Sequence, residues 1–231
     1  MLSLVIFSAA LANERHFTYT YESDVLPAQA VEIEPWTTLR PVDGGLRLDH
    51  RLEFEGGVSN KLMTALYLNW TAEPVGLSWG GVSSEWKLNL LSRTLKPVGF
   101  ALYGEVTAAP TETVFEAKLL VDKITDHFVF AANLVGEAEL VNVAGAVETA
   151  IVQETVLGIA YRPAPVWSVG VELKDEFVFA DTAEHDSLFV GPAVAWSNPG
   201  WWVAVSGLGL IPVATAEEDT LRARVIMGFH L

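Results

Sequence analysis

The sequence predicts an all-β chain, a transmembrane antiparallel up-and-down β-barrel of about 12 strands, and three observations carry that expectation. Apolar and polar residues alternate with period 2 along most of the chain, the signature of strands whose two faces meet different surroundings. The alternating runs are about 10–12 residues long, longer than the ~5–6 of soluble strands and suited to a tilted strand crossing a bilayer. The 231 residues are 51% hydrophobic with mean hydropathy +0.32, yet the formal net charge is −15. Apolar side chains against lipid, with charges in loops or a lumen, reconcile those values.

Composition excludes several classes. Fourteen Lys+Arg against 29 Asp+Glu give no basic surface for phosphates, so nucleic acid is not a partner. The absence of cysteine removes disulfides and thiolate metal sites. The hydrophobic content is too high for a disordered chain. A soluble β-sandwich, whose strands also alternate, is the architectural rival.

Taken in order, residues 1–12 are expected to be a secretory signal peptide. Leu2 to Ala12 is an uncharged apolar run ending Ala10-Leu11-Ala12, followed by Asn13-Glu14-Arg15. It is too short to span a bilayer as a helix, which needs about 20 residues, and it lacks the usual basic leader. Residues 13–27 follow as an extra N-terminal strand, tail or lumen insert, with Phe17, Tyr19 and Tyr21 alternating with Thr18 and Thr20.

The barrel is expected over 28–231, with strands at 28–40, 45–57, 62–72, 82–91, 97–108, 113–122, 128–139, 149–161, 167–178, 187–197, 201–211 and 220–231. Pro35, which has no N–H to give a ladder, predicts a bulge in the first. Arg47 to Glu55 sets Arg47, Asp49, Arg51, Glu53 and Glu55 opposite Leu48, Leu52 and Phe54. That parity also places His50 on the lipid side. Glu85, Lys87 and Asn89 alternate with Trp86, Leu88 and Leu90; Glu116 and Lys118 with Phe115, Ala117, Leu119 and Val121. Glu172 and Lys174 alternate with Trp167, Val169, Val171 and Leu173. Arg222 and Arg224 face away from Leu221, Ala223, Val225, Met227, Phe229 and Leu231. Leu140, Val143, Val147 and Ile151 have helical spacing, compatible with a short loop helix. Ser187 to Ala216 is uncharged, but Pro192, Asn198-Pro199-Gly200, Gly207, Gly209 and Pro212 break it into two strands and a turn.

Turns at 58–61, 92–97, 123–127, 162–165 and 198–200 are tight; those at 72–81, 108–112, 140–148, 178–187 and 212–220 are longer or more acidic. The two kinds alternate, the loop asymmetry of outer-membrane barrels. The polar face reads as the lumen: Arg47, Asp49, Arg51, Glu53, Glu55, Glu85, Lys87, Glu105, Glu116, Lys118, Glu172, Lys174, Arg222 and Arg224 are candidate pore-lining residues. Mixed signs allow either an interior braced by ion pairs or a narrow polar pore, since twelve strands lie between filled eight-stranded and open larger barrels. Trp167, Trp196, Trp201 and Trp202 sit beside tight turns, where an interfacial girdle belongs; Trp201 and Trp202 point to opposite faces, so only one joins it.

The export-like start, the cysteine-free acidic composition, short turns such as Gly57 to Leu62 and the closing strand Leu221 to Leu231 together resemble the small outer-membrane β-barrel proteins of Gram-negative bacteria. The resemblance covers residues 28–231. It implies the bacterial outer membrane, contact with its lipid and lipopolysaccharide, and recognition of Leu221–Leu231 by the barrel-assembly machinery. In such proteins the closing strand usually ends in an aromatic, whereas here Phe229 is third from the end.

Other chemistry is weak. Gly76-Leu77-Ser78-Trp79-Gly80 matches G-x-S-x-G, but a nucleophile elbow needs a helix after the serine, and a glycine-rich turn in an outer loop is expected instead. The five histidines have no metal-ligand spacing, and Asp181 with Glu184-His185-Asp186 reads as a solvated acidic loop. No cofactor, metal or catalytic residue is expected. The acidic outer loops could bridge lipopolysaccharide through Ca²⁺ or Mg²⁺. The function expected is a passive pore or small-solute transporter; a closed structural or adhesive barrel and an outer-membrane lipid hydrolase are the alternatives.

Overall fold

A computed structural model describes residues 14–143, 145–179, 183–212 and 220–231. The signal-peptide expectation for residues 1–12 lies outside them. Twelve antiparallel strands run β1 Val31–Val42, β2 Gly45–Ser59, β3 Leu62–Glu73, β4 Gly76–Leu91, β5 Gly99–Ala108 and β6 Glu112–Ile124. They continue with β7 Phe128–Val143, β8 Ala146–Ala164, β9 Trp167–Phe179, β10 Ala183–Asn198, β11 Trp201–Leu210 and β12 Leu221–His230. Each pairs with its sequence neighbour, and β12 returns to β1 through pairs from Glu32↔His230 to Leu39↔Ala223, so the sheet closes without an edge.

Side-chain parity decides what faces where. In β6, Phe115, Ala117, Leu119 and Val121 are exposed, whereas Glu116, Lys118, Leu120 and Asp122 point inward. The same holds around the ring, where Leu102, Leu134, Leu157, Val171, Val194, Val205 and Val225 form an exposed apolar belt far larger than a soluble monomer tolerates. That belt is the lipid-facing surface. Trp167, Trp196, Trp201 and Phe229 pack together outside it, with ring centroids 6.4, 4.7 and 6.5 Å apart, as an interfacial cluster beside the turns. Trp202 points inward and is fully buried. His50 does face the lipid side, where its ring stacks on Trp70 at 5.5 Å and Nδ1 lies 3.0 Å from the Thr37 hydroxyl.

Several sequence expectations are corrected. Among the described residues, turn lengths do not separate into two kinds. At the end opposite the chain termini, β3 and β4 are joined by Pro74-Val75 alone, and β7 and β8 run to Val143 and from Ala146. Most of 72–81, 140–148 and the described part of 178–187 is strand extension, with β8 reaching 19 residues, whereas 213–219 lies outside the described residues. Asp43-Gly44 closes the first hairpin there, with Gly44 at φ 84°, a left-handed conformation that glycine takes without strain. The longest described turn at the terminal end is 92–98. The helical spacing of Leu140 to Ile151 belongs to the β7–β8 hairpin, and Leu140 pairs with Thr149. Pro35 makes no bulge: the ladder to β12 skips Glu34 and Pro35 with its register intact, because the missing N–H costs one rung and no residue needs to be inserted. Gly76–Gly80 is strand and not turn; the β3–β4 register slips by one residue at Asn69/Trp70, and Ser78 Oγ donates to the Thr71 carbonyl at 3.4 Å.

Candidate functional site: the barrel lumen

Residues 14–26 run inside the barrel, and 27–30 turn at its rim before β1 begins. Phe17, Thr18, Tyr19, Thr20, Tyr21, Ser23 and Leu26 are buried. Their short alternating pattern cannot add a strand to a closed sheet, so the backbone amides are satisfied by side chains from the wall. Glu172 on β9 accepts from the Thr18 N–H at 3.1 Å, the Tyr19 N–H at 2.8 Å and the Thr20 N–H at 2.7 Å, and from the Thr18 and Thr20 hydroxyls at 3.2 and 3.0 Å. Asn133 on β7 imitates a strand: its Oδ1 accepts from the Tyr21 N–H at 2.6 Å, and its Nδ2 donates to the Tyr21 carbonyl at 2.8 Å. Asn89 Nδ2 donates to the Ser23 carbonyl at 2.7 Å, and Ser23 Oγ donates to Asp122 at 2.5 Å.

The foot of this segment is pinned by charge. Arg93, from the 92–98 turn, lies 2.6 Å from Glu22, 2.7 Å from Asp24 and 2.6 Å from Asp122. Burial pushes the Glu22 carboxyl up, but His16, 2.9 Å away, and the Arg93 guanidinium outweigh it and hold the group well below the usual carboxylate range. Gly57 marks where the segment crosses β2: a Cβ there would lie 1.9 Å from the Pro27 carbonyl oxygen.

A band of aromatic rings and cations crosses the lumen, built from Arg15, Tyr19 and Tyr21 of the segment and from wall residues. Tyr21 meets Tyr103 edge-on at 5.3 Å and lies 6.3 Å from Trp36, which meets Tyr67 at 6.2 Å. Arg15 and Lys118 sit 4.1 and 4.0 Å from the Tyr21 ring, Arg51 4.0 Å from Tyr67 and Arg224 3.8 Å from Tyr19. Such contacts fix the cations without displacing them from the charged wall.

The wall itself carries rows of acids in register. Glu85 faces Glu105, Glu105 faces Glu116, and Glu116 faces Glu137, so four strands present carboxylates side by side. Directly opposed like charges repel, and the bases offset them. Arg51 binds Glu105, Lys118 lies 2.9 Å from Glu116, and Lys174 is 2.5 and 2.6 Å from Glu154 and Glu176. Tyr67 donates its hydroxyl to Glu85, and Tyr103 does so to Glu105 at 2.5 Å.

Toward the end opposite the termini the interior opens into a vestibule of about 690 Å³. Its charged lining is Arg47, Asp49, Arg51, Glu105, Glu112, Glu116 and Glu137, with Asn69, Thr71 and Thr107 between them. All fourteen residues that the sequence placed on the polar face point inward, but they divide into groups. Arg47, Asp49, Arg51, Glu105 and Glu116 border the vestibule. Glu53, Glu55, Glu85, Lys87, Glu172 and Arg222 are buried deeper, while Lys118, Lys174 and Arg224 are engaged with rings or acids. Sequence reasoning missed Trp36, Tyr67, Tyr103, Asn133, Trp202 and Arg93. Tyr103 shares its strand parity with Glu105, and Tyr67 with Asn69, which could have marked both; nothing local marks Arg93, which sits in a turn.

Among the described residues His185 is no part of a metal cluster: its Nε2 lies 2.7 Å from Asp175 and its ring stacks on Phe177 at 4.6 Å. Asp181 is outside the described residues.

A closed twelve-strand membrane barrel with a charged, partly filled lumen has the architecture of outer-membrane channels. The COG4313 outer membrane channel from Pseudomonas putida F1 superposes with a TM-score of 0.66 at 11% identity, covering 90% of this chain and 98% of that one. The NanC porin gives 0.63 at 11%, covering 86% and 100%, and the KdgM porin in complex with disordered oligogalacturonate gives 0.57 at 12%, covering 86% and 98%. Identities this low establish a shared fold. The chain belongs to the family described as a family of unknown function (DUF6662), which matches residues 9–211. No curated protein sequence matches it significantly.

Proposed function

We propose that this protein is a passive channel for small polar solutes in the outer membrane of a Gram-negative bacterium. The observation that carries the proposal is the vestibule of about 690 Å³, lined by charged side chains inside a ring of lipid-facing strands. Solutes would enter between Arg47, Asp49 and Arg51 on one wall and Glu105, Glu116 and Glu137 on the other. Five carboxylates against two guanidiniums on this lining favour cations and neutral solutes over anions. Lipopolysaccharide around the apolar belt and barrel-assembly machinery reading Leu221–Leu231 are the partners this role requires.

A second reading has its own support. Residues 14–26 occupy the lumen toward the terminal end, which favours a structural or adhesive barrel that conducts nothing in this state. A hydrolase is disfavoured because Ser78 has a backbone carbonyl as its partner and lies in a continuous strand. Single-channel recording in planar bilayers separates the readings. A channel gives discrete steps with a reversal potential shifted toward the cation; folded protein that gives no steps removes the proposal.

A further inference from the structure

We propose that Glu32, Glu34, Glu53 and Glu55, at the terminal end of β1 and β2, form a binding site for a calcium-class divalent cation. The two strands put Glu32 opposite Glu55 and Glu34 opposite Glu53, a block of four carboxylates on the lumen face. All four are buried. One oxygen each from Glu32, Glu34 and Glu55 lies within 4.8 Å of the others. The Glu53 side chain supplies an independent sign. It is fully buried with its carboxyl group against that of Glu55, and among the described residues no other side chain or backbone N–H donates to either of its oxygens, nor to Glu34 Oε1. A carboxylate so placed wants a cation or a proton.

The hydrogen-bond donors to Glu32 and Glu34 are neutral indoles. Glu32 accepts from the Trp202 indole and lies 3.1 Å from His230; Glu34 accepts from the Trp36 indole at 3.1 Å. Indoles bring no charge. Arg15 is 3.7 Å from Glu34, a loose pair, and Lys87 on β4 is shared with Glu85.

The chemistry of the ligands selects the ion. The ligands are carboxylate oxygens only, which suit a hard cation. Calcium accepts an irregular cage of several carboxylate oxygens, whereas magnesium demands octahedral geometry and usually keeps several of its waters, so four buried carboxylates suit the larger ion. Bound there, calcium would tie β1 to β2 next to the β1–β12 seam and beneath Arg15. The site does not depend on whether the barrel conducts.

Trp36 and Trp202 bond two of the ligand carboxylates, so a lanthanide in the site would emit on indole excitation. The test uses full-length protein in detergent micelles, stripped with chelator and titrated with Tb³⁺. Saturable sensitised emission, displaced by Ca²⁺ well before Mg²⁺, is expected. Glu53→Gln with Glu55→Gln should weaken Tb³⁺ binding at least about tenfold, with folding checked by heat-modifiable gel mobility. Glu53→Gln alone serves if the double variant does not fold, and Glu148→Gln, exposed on β8 and outside both the cluster and the vestibule, should change nothing. Absence of saturable emission, or unaltered binding in the Glu53 variants, would show that shared protons hold the carboxylates and overturn the site. Displacement by Mg²⁺ as readily as by Ca²⁺ would overturn the calcium assignment.

Discussion

Replacing Glu172 with alanine should release residues 14–26 from the lumen while leaving the barrel intact. The Glu172 carboxylate is fully buried and receives three consecutive backbone N–H groups and two hydroxyls. Without it the amides of Thr18, Tyr19 and Thr20 would sit in the barrel with no acceptor. Each orphaned buried donor costs about 1–3 kcal/mol, so three cost ~3–9 kcal/mol. At ~1.4 kcal/mol per factor of ten, the balance between seated and released segment moves by at least about a hundredfold. Glu172→Gln keeps one acceptor oxygen and should fall between. Limited trypsin digestion reads the outcome, because Arg15 is buried in the seated segment. The alanine variant should be cut there while its heat-modifiable mobility persists, and its bilayer conductance should rise. Wild-type protection in Glu172→Ala would refute the view that this carboxylate holds the segment.

Other consequences follow from the same geometry. Arg93→Ala leaves Glu22, Asp24 and Asp122 without their shared cation and should destabilise the seated segment by about 3–5 kcal/mol, read by the same digestion. The Glu22 carboxyl is held below its unfolded value, so its contribution is complete above about pH 4.3 and fades as pH falls further; trypsin is inactive there, and pepsin accessibility of 14–30 should rise in that window. Gly57→Ala places a Cβ on the Pro27 carbonyl and should loosen the segment without affecting barrel assembly, as judged by gel mobility. Leu119→Arg, on the exposed belt, should cost about 2–4 kcal/mol of barrel stability in lipid if it lies near the midplane, measured by urea unfolding in vesicles.

Strand count and parity were legible because a closed membrane barrel forces one rule on every strand: apolar out, polar in. Glu116 and Lys118 against Leu119 and Val121 show it in four residues. What escaped depended on three-dimensional partners. Gly76 to Gly80 looks like a turn, since glycine marks turns and irregular strands alike, and only pairing with β3 makes it strand. Parity put Glu172 in the lumen but could not show that the amides of Thr18 to Thr20 would claim it, because those residues lie more than 150 positions away. The tyrosine and tryptophan band was hidden because Trp36, Tyr67 and Trp202 are apolar residues on the polar face, which a binary pattern counts as exceptions. Arg93 resembles any turn arginine until Asp122 and Glu22 are seen beside it.

The central claim, that odd and even positions of each strand face hydrocarbon and lumen, has a direct measurement in β6. The chain contains no cysteine, so single cysteines at 115 through 121 carry a spin label without background. In reconstituted vesicles, labels at Phe115, Ala117, Leu119 and Val121 should collide with lipid-soluble oxygen. Those at Glu116 and Lys118 should meet the water-soluble relaxant or become immobile against their neighbours. A uniform profile, or one with the opposite parity, would contradict the account.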